Sequence, residues 1–229
     1  MTPQPYALYL VTDRDLALGR PLSDVVAAAV SGGVTCVQIR EKRASSRAFL
    51  AEARAVRRVL AGTGVPLFVN DRVDVALAAE VDGVHVGQTD LPLPEVRQLA
   101  GDRLRIGVSV ESVADAAAAE REGADYVSVS PVYRTPTKTD TVPGLGPEGV
   151  AAVRAAVRCP VVAIGGLNRE TVGDVIRAGA DGVAVVSAIM SAPDPAAAAL
   201  ELREIIAAAP GKFPPAAQQG NRIPKEGAE

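Results

Sequence analysis

An alternation sets the limits on what this sequence can form: eight short runs rich in Val, Ile and Leu, each followed by a segment of helical character, several of them rich in alanine. The runs are ALYLVT (7–12), VTCVQI (34–39), PLFVN (66–70), GVHVG (83–87), LRIGVS (104–109), YVSVS (126–130), VVAIG (161–165) and GVAVVS (182–187). Helices are predicted to begin near Leu22, Ser46, Asp71, Pro94, Ser112, Gly146, Arg169 and Pro195, several opened by residues suited to an N-cap or first turn. Strands that alternate with helices build parallel sheets. Eight such units, with GGV, EGAD and AGADG as turn punctuation before new strands, fit an α/β architecture closed into a single (β/α)8 TIM barrel better than an open doubly wound sheet. No recurring sequence motif accompanies the period, so a solenoid is not expected. The barrel is expected over residues 1–209 as one catalytic domain, and residues 210–229, rich in Pro, Gly and polar side chains, as a flexible C-terminal tail.

Composition narrows the partners. The formal net charge of −3 and the absence of a basic run interleaved with aromatics argue against nucleic acid. Trp is absent and Tyr and Phe are scarce, so aliphatic side chains are expected to fill the interior and to cover its helices. Cys36 and Cys159 belong to no metal or disulfide pattern and are expected to be small buried hydrophobes in a reducing, cytoplasmic setting. No stretch approaches the length needed to span a membrane, and the N-terminus lacks the pattern of a signal peptide. The oligomeric state is not legible, and a homo-oligomer stays open.

In a barrel of this kind, chemistry gathers where the strands end. Strand 2 runs into VQIREK, which places Gln38, Arg40 and Lys42 on one face by strand alternation, a pattern suited to an anion. Strand 3 ends in Asn70 and Asp71, and the loop after strand 4 carries Gln88 and Asp90. Asp71 alone would cap the following helix, but Asp71 and Asp90 from neighbouring strands can converge on one point and supply hard oxygen ligands to Mg²⁺. His85, the only histidine, is expected to be a satisfied core side chain and not a base. After strand 6, the long loop offers Thr135, Thr137 and Lys138 as a lid over a phosphate. Strands 7 and 8 end in IGG and VVS, where barrels commonly bind a phosphate through backbone amides. The pattern therefore suggests two anions, a diphosphate held by cations and metal and a monophosphate held by neutral amides. Nothing in it supports acyl transfer or dinucleotide redox chemistry.

The ordered set LYLVTD, VQIREK, VNDRVDVALAAEVDGVHVGQTDLP, IGVS, GADYVSVSPVYRTPTKTDTVPGLG, VVAIGG and GADGVAVVSAI resembles the thiamine-phosphate synthase family, from about Tyr6 to about Ala208. The resemblance implies a transferase that joins a hydroxymethylpyrimidine diphosphate to a thiazole phosphate and releases pyrophosphate, with Mg²⁺ as cofactor and these two small molecules as its partners. It implies that Gln38, Ile39, Arg40, Glu41, Lys42 and Asn70 hold the pyrimidine diphosphate, with Asp71 and Asp90 on the metal. Ser109 and Lys138 would contact the diphosphate, while Thr135, Thr137, Gly166, Val186 and Ser187 hold the thiazole phosphate. Arg40, Lys42 and Lys138 would act catalytically, on charge growing in the leaving group. The stretch SVES at 109–112 departs from the family pattern just after the serine, where a pair containing histidine is more usual. Rival readings are a thiazole tautomerase of the same barrel family, which carries a histidine where this chain has Ser130, a barrel that only binds its ligand, and a sugar- or amino-acid-pathway isomerase supported by the strand 7 and 8 cradle alone.

Overall fold

The structure, a computed structural model, describes residues 5–134 and 144–209. Eight parallel strands close into a barrel in chain order: β1 (Leu8–Val11), β2 (Cys36–Ile39), β3 (Leu67–Asn70), β4 (Gly83–Val86), β5 (Arg105–Val110), β6 (Tyr126–Val129), β7 (Val161–Ile164) and β8 (Gly182–Val185). Closure is made by β1 on β8, with Leu8 opposite Val183 and Leu10 opposite Val185. Around them run α1 (Leu22–Ser31), α2 (Ser46–Leu60), α3 (Val73–Ala79), α4 (Leu93–Ala100), α5 (Val113–Arg121), α6 (Gly146–Ala156), α7 (Val172–Arg177), the four-residue α8 (Ser187–Met190) and α9 (Pro195–Ala208). Among the described residues, no helix is long and apolar enough to cross a membrane.

Helix starts agree with the sequence pattern except where a turn intervenes. Ser45 caps α2, Ser112 caps α5 and Asp194 caps α9, each accepting a hydrogen bond from a first-turn amide. Asp71 is not a cap: its φ is +61°, outside helical space, and α3 begins two residues later. Likewise α7 starts beyond Arg169, because Asn168 and Thr171 close a turn through Asn168 N–H to Thr171 Oγ1 and Glu170 N–H to Asn168 Oδ1.

Two cores stack radially. Outward-facing strand residues such as Leu10, Ile39, Val69, Ile106 and Val183 pack under the helices with Val26, Val56, Val96 and Ile206, and this layer is aliphatic as expected. The inner core is not. Tyr6, Tyr9, Phe68 and Tyr126 pack together inside the ring, with Tyr6 and Tyr126 centroids 4.5 Å apart and Phe68 edge-on to Tyr126 at 5.6 Å. Most of the chain's few rings are thus concentrated where each fills the most volume. Glycine makes the room: a Cβ on Gly83 would lie 2.2 Å from the Phe68 ring, and one on Gly107 would lie 2.1 Å from the Tyr126 ring. Cys36 joins this aromatic plug as a fully buried thiol, while Cys159 is only half-buried.

Candidate active site

The inward positions of each strand change character along its length. β2 presents Cys36 low in the barrel, then Gln38 and, past its end, Arg40; β3 presents Phe68 and then Asn70; β4 presents Gly83 and then His85; β5 presents Gly107 and then Ser109; β6 presents Tyr126 and then Ser128. Period-two alternation keeps these side chains on the inner face. Aromatics seal the barrel below, and short polar groups line a cavity of about 590 Å³ above them.

Ten of the predicted site residues meet in this cavity: Gln38, Arg40, Lys42, Asn70, Asp71, Asp90, Ser109, Gly166, Val186 and Ser187. Ile39 and Glu41 are not among its lining residues. Ile39 is buried in the outer aliphatic layer, and Glu41 turns outward to accept a 2.7 Å bond from Arg14. Thr135, Thr137 and Lys138 lie outside the described residues. Tyr9, Ser128, Arg134 and Asn168, which the sequence pattern does not single out, also line the cavity, as does Ser130, singled out only as the place where the tautomerase carries a histidine. Ser128 and Ser130 were within reach, since period-two spacing from Tyr126 puts them on the inner face.

Local bonds aim the charged groups. Asp13 accepts from Arg40 at 3.4 Å, and the Arg40 amide donates to Thr12 Oγ1 at 3.1 Å, so the β1 end positions the first cation. Asp71 is held in left-handed backbone by its own amide, which donates to the His85 carbonyl at 2.8 Å. A non-glycine residue in that region is uncommon outside Asn and Asp, and such a conformation often marks a working position. It sets the Asp71 carboxyl beside that of Asp90, where the two interact. Burial, then the Asp90 hydrogen bond and charge, push the Asp71 carboxyl up to about 6, while Lys42 and Arg40 pull the other way. Asp90 also accepts from the Gly87 amide at 2.7 Å, which fixes its approach.

Two carboxylates pressed together call for a proton or a cation between them. Among the described residues no set of three or more His, Cys, Asp or Glu side chains is placed to hold a metal. The pair still fits Mg²⁺, a hard cation that commonly takes one or two carboxylates and completes its shell with water and phosphate.

On the opposite wall, Gly165 and Gly166 have φ of +103° and +65°. A Cβ on Gly166 would meet Arg134 O and Tyr133 Cβ at 2.8 Å, and one on Gly165 would meet Pro131 Cβ at 2.8 Å. Glycine is therefore required here by the segment that follows β6, as well as leaving space for a ligand. That segment is pinned to the end of β7 by Val132 N–H to Ile164 O and Tyr133 N–H to Gly165 O. Next to it, α8 begins at Ser187 directly after β8, and Val186, Ser187 and Ala188 line the cavity.

A family model described as thiamine monophosphate synthase matches residues 8–189. The chain belongs to that family. A thiamine-phosphate synthase of Albidiferax ferrireducens is 53% identical over 203 residues, covering 89% of this chain and 93% of the relative. One from Chloroflexus aurantiacus is 50% identical over 201 residues, covering 88% and 93%. Among solved structures, the thiamine phosphate pyrophosphorylase of Pyrococcus furiosus superposes with a TM-score of 0.83 at 38% identity, covering 91% of this chain and 98% of that one. A 3-hexulose-6-phosphate synthase, 22% identical with a TM-score of 0.67, shares the barrel alone. The cavity lies at the C-terminal ends of the strands, where barrels of this kind carry their chemistry.

Proposed function

We propose that this chain is a transferase of thiamine biosynthesis that joins a hydroxymethylpyrimidine diphosphate to a thiazole phosphate, releasing pyrophosphate and giving thiamine phosphate. The observation that carries the proposal is the division of the cavity lining. Arg40, Lys42 and the Asp71–Asp90 pair stand on the β2 to β4 side, while Gly166, Val186 and Ser187 stand on the β7 and β8 side. One wall suits a metal-bound diphosphate and the other suits a monophosphate held by backbone and hydroxyl groups.

In the proposed reaction the C–O bond to the diphosphate breaks with its electron pair leaving on oxygen, and the thiazole nitrogen lone pair forms the new C–N bond. No strong base is required. Arg40 and Lys42, with Lys138, stabilise the charge that grows on the leaving group, which is preorganised electrostatic catalysis. Gln38 and Asn70 orient the pyrimidine, and Ser109 donates to the diphosphate. Gly166, Val186 and Ser187, with Thr135 and Thr137, hold the thiazole phosphate and set its nitrogen to capture the pyrimidine carbocation left when the diphosphate departs, a dissociative displacement. Asp71 and Asp90 would hold Mg²⁺, which when bound supplies further positive charge to the diphosphate oxygens. The setting we propose is cytoplasmic.

The test is direct. Purified protein is incubated with both substrates, with and without Mg²⁺, and thiamine phosphate and pyrophosphate are measured. Formation of both in equal amounts, dependent on Mg²⁺, supports the reading. Metal-independent turnover would remove the role given to Asp71 and Asp90. No product from folded protein would favour the thiazole tautomerase.

A further inference from the structure

Along the floor of the cavity a chain of side-chain hydrogen bonds crosses the barrel from β2 to β5. Gln38 Nε2 donates to Tyr9 Oη at 3.0 Å, Tyr9 and Tyr126 hydroxyls lie 3.1 Å apart, Tyr126 Oη lies 2.8 Å from His85 Nδ1, and His85 Nε2 lies 2.9 Å from Ser109 Oγ. Tyr9 and Tyr126 are fully buried, and Gln38 and His85 nearly so, so each proton along the chain needs an acceptor.

The donors can be ordered from one end. With the amide nitrogen of Gln38 turned to Tyr9, Tyr9 accepts there and donates its own proton to Tyr126. Tyr126 then donates to His85 Nδ1, His85 carries its proton on Nε2 and donates it to Ser109 Oγ, and the Ser109 hydroxyl proton is left to point into the cavity. In the opposite order, with that amide unchanged, the buried Tyr9 proton has no acceptor along the chain. A buried hydroxyl proton left without an acceptor forfeits its hydration with no return, which decides the direction. Both tyrosines stay protonated at neutral pH, because burial drives their hydroxyls well above the ordinary range.

We infer that Tyr126 and His85 are positioning residues, Tyr126 fixing the Nε2–H tautomer of His85 and thereby turning the Ser109 hydroxyl into a donor aimed at the leaving diphosphate, while Tyr9 relays the orientation of the Gln38 amide to them. The inference rests on the proposed function for the identity of the acceptor. It also links the two ends of one substrate. Gln38 lines the cavity, and with Nε2 on Tyr9 its Oε1 is left to accept from an N–H of the pyrimidine, such as an exocyclic amine. A ring that donates to Gln38 therefore holds the amide in the orientation that readies Ser109. A ring offering an acceptor there would favour the turned amide and the reversed chain.

His85 is the only histidine, so in untagged protein the imidazole ¹⁵N spectrum reports this one side chain. The ligand-free wild type is expected to show a single Nε2–H tautomer. Tyr126→Phe is expected to lose it and give a mixture, whereas Tyr9→Phe retains it, because Tyr126 still has His85 to donate to. A general loosening of the plug would disturb both variants alike. In kinetics, Tyr126→Phe is expected to lower kcat roughly 10-fold in the wild type and less than about 2-fold in a Ser109→Ala background, with KM little changed, as residues acting through one group are non-additive.

The same four proteins are titrated with inorganic pyrophosphate and Mg²⁺ by calorimetry, which needs no turnover. An Nδ1–H tautomer in the wild type, or additive losses in both the kinetic and pyrophosphate cycles, would overturn the inference. Absence of thiamine phosphate with the stated tautomer and a non-additive pyrophosphate cycle would instead overturn the proposed function and leave the positioning chain standing.

Discussion

At the scale of single residues, the site depends on side chains whose environment differs from what their type suggests. Asp71 is the clearest case, because its left-handed backbone and its contact with Asp90 turn a helix-capping residue type into half of a cation-binding pair. Asp90→Ala is expected to raise the Mg²⁺ concentration for half-maximal turnover by roughly 10-fold or more, read from initial rates across a metal titration. An unchanged metal requirement would detach the pair from the metal. Arg40→Ala is expected to lower kcat on the order of 10²-fold while the urea midpoint stays near wild type, since Arg40 faces the cavity and its ion pair to Asp13 is partly exposed. The cysteines make the opposite case. Burial raises the Cys36 thiol well above its usual range, and burial followed by the Glu120 charge raises Cys159 to about 11. For an acid whose pKa is raised, the thiolate fraction at pH 8 falls below that of a free thiol. Folded protein at pH 8 is therefore expected to react with iodoacetamide far more slowly than the urea-unfolded chain, as mass spectrometry would count. Rapid labelling of Cys36 in the folded protein would contradict the packing around it.

At the scale of elements, four strand pairs share a device that the amino-acid pattern conceals. The residue just before an even strand takes the first or second amide of the odd strand beside it: Leu8 N–H to Thr35 Oγ1 at 3.0 Å, Leu67 N–H to Asp82 at 2.8 Å, Ile106 N–H to Asp125 at 2.7 Å and Val161 N–H to Asp181 at 2.9 Å. Arg97 and Arg154 reach Asp125 and Asp181 at 2.8 and 2.5 Å, bracing two of these caps. Asp125→Ala would leave a strand-end amide without its partner and take from Arg97 its carboxylate, the carbonyls of Gly101, Leu104 and Gly123 remaining as acceptors. It is expected to destabilise by about 1–3 kcal/mol in urea unfolding, with turnover at saturating substrate kept. A loss within about 0.3 kcal/mol would mean that water replaces the carboxylate. The AD and VD pairs before these strands read as turn punctuation in the sequence, because a one-residue signal with Thr in one of four places shows no repeat. The strands themselves were legible, since Val- and Ile-rich runs between Ala-rich helices leave few alternatives. The polar strand ends were legible for the same reason, as Arg40, Asp71 and Asp90 stand where an apolar run stops. His85 was legible as a satisfied core side chain but not as part of the cavity lining, because its neighbours in sequence are apolar. Its partners Tyr126 and Ser109 come from other strands that only closure brings together.

At the scale of the whole molecule, the barrel is stabilised from inside and outside by different chemistries, and the two respond differently to change. Inside, the aromatic plug leaves no slack: Gly83→Ala would drive a methyl group into the Phe68 ring and the Arg105 carbonyl, which lies 2.6 Å from the added atom. Overpacking of this kind destabilises by about 1–3 kcal/mol, visible as a lower urea midpoint. Outside, the ring of helices is closed by α9, whose buried Ala199, Leu202 and Ile206 face the helical layer beside α1. The approach is close enough that a Cβ on Gly32, at the end of α1, would lie 2.1 Å from the Ala196 carbonyl. The family model stops at residue 189, before α9 begins. Burial continues past the end of the family match, through α9 to Ala209, itself buried. A chain ending after residue 209 is expected to keep its Tm within about 2 °C and its turnover unchanged. A chain ending after Met190 is expected to unfold, because stripping α9 exposes the apolar faces of α1 and β1 and removes burial comparable to the whole margin of stability. Full activity in the shorter chain would show that the ring needs no ninth helix. Loss of activity in the longer one would assign residues 210–229 a part in the site.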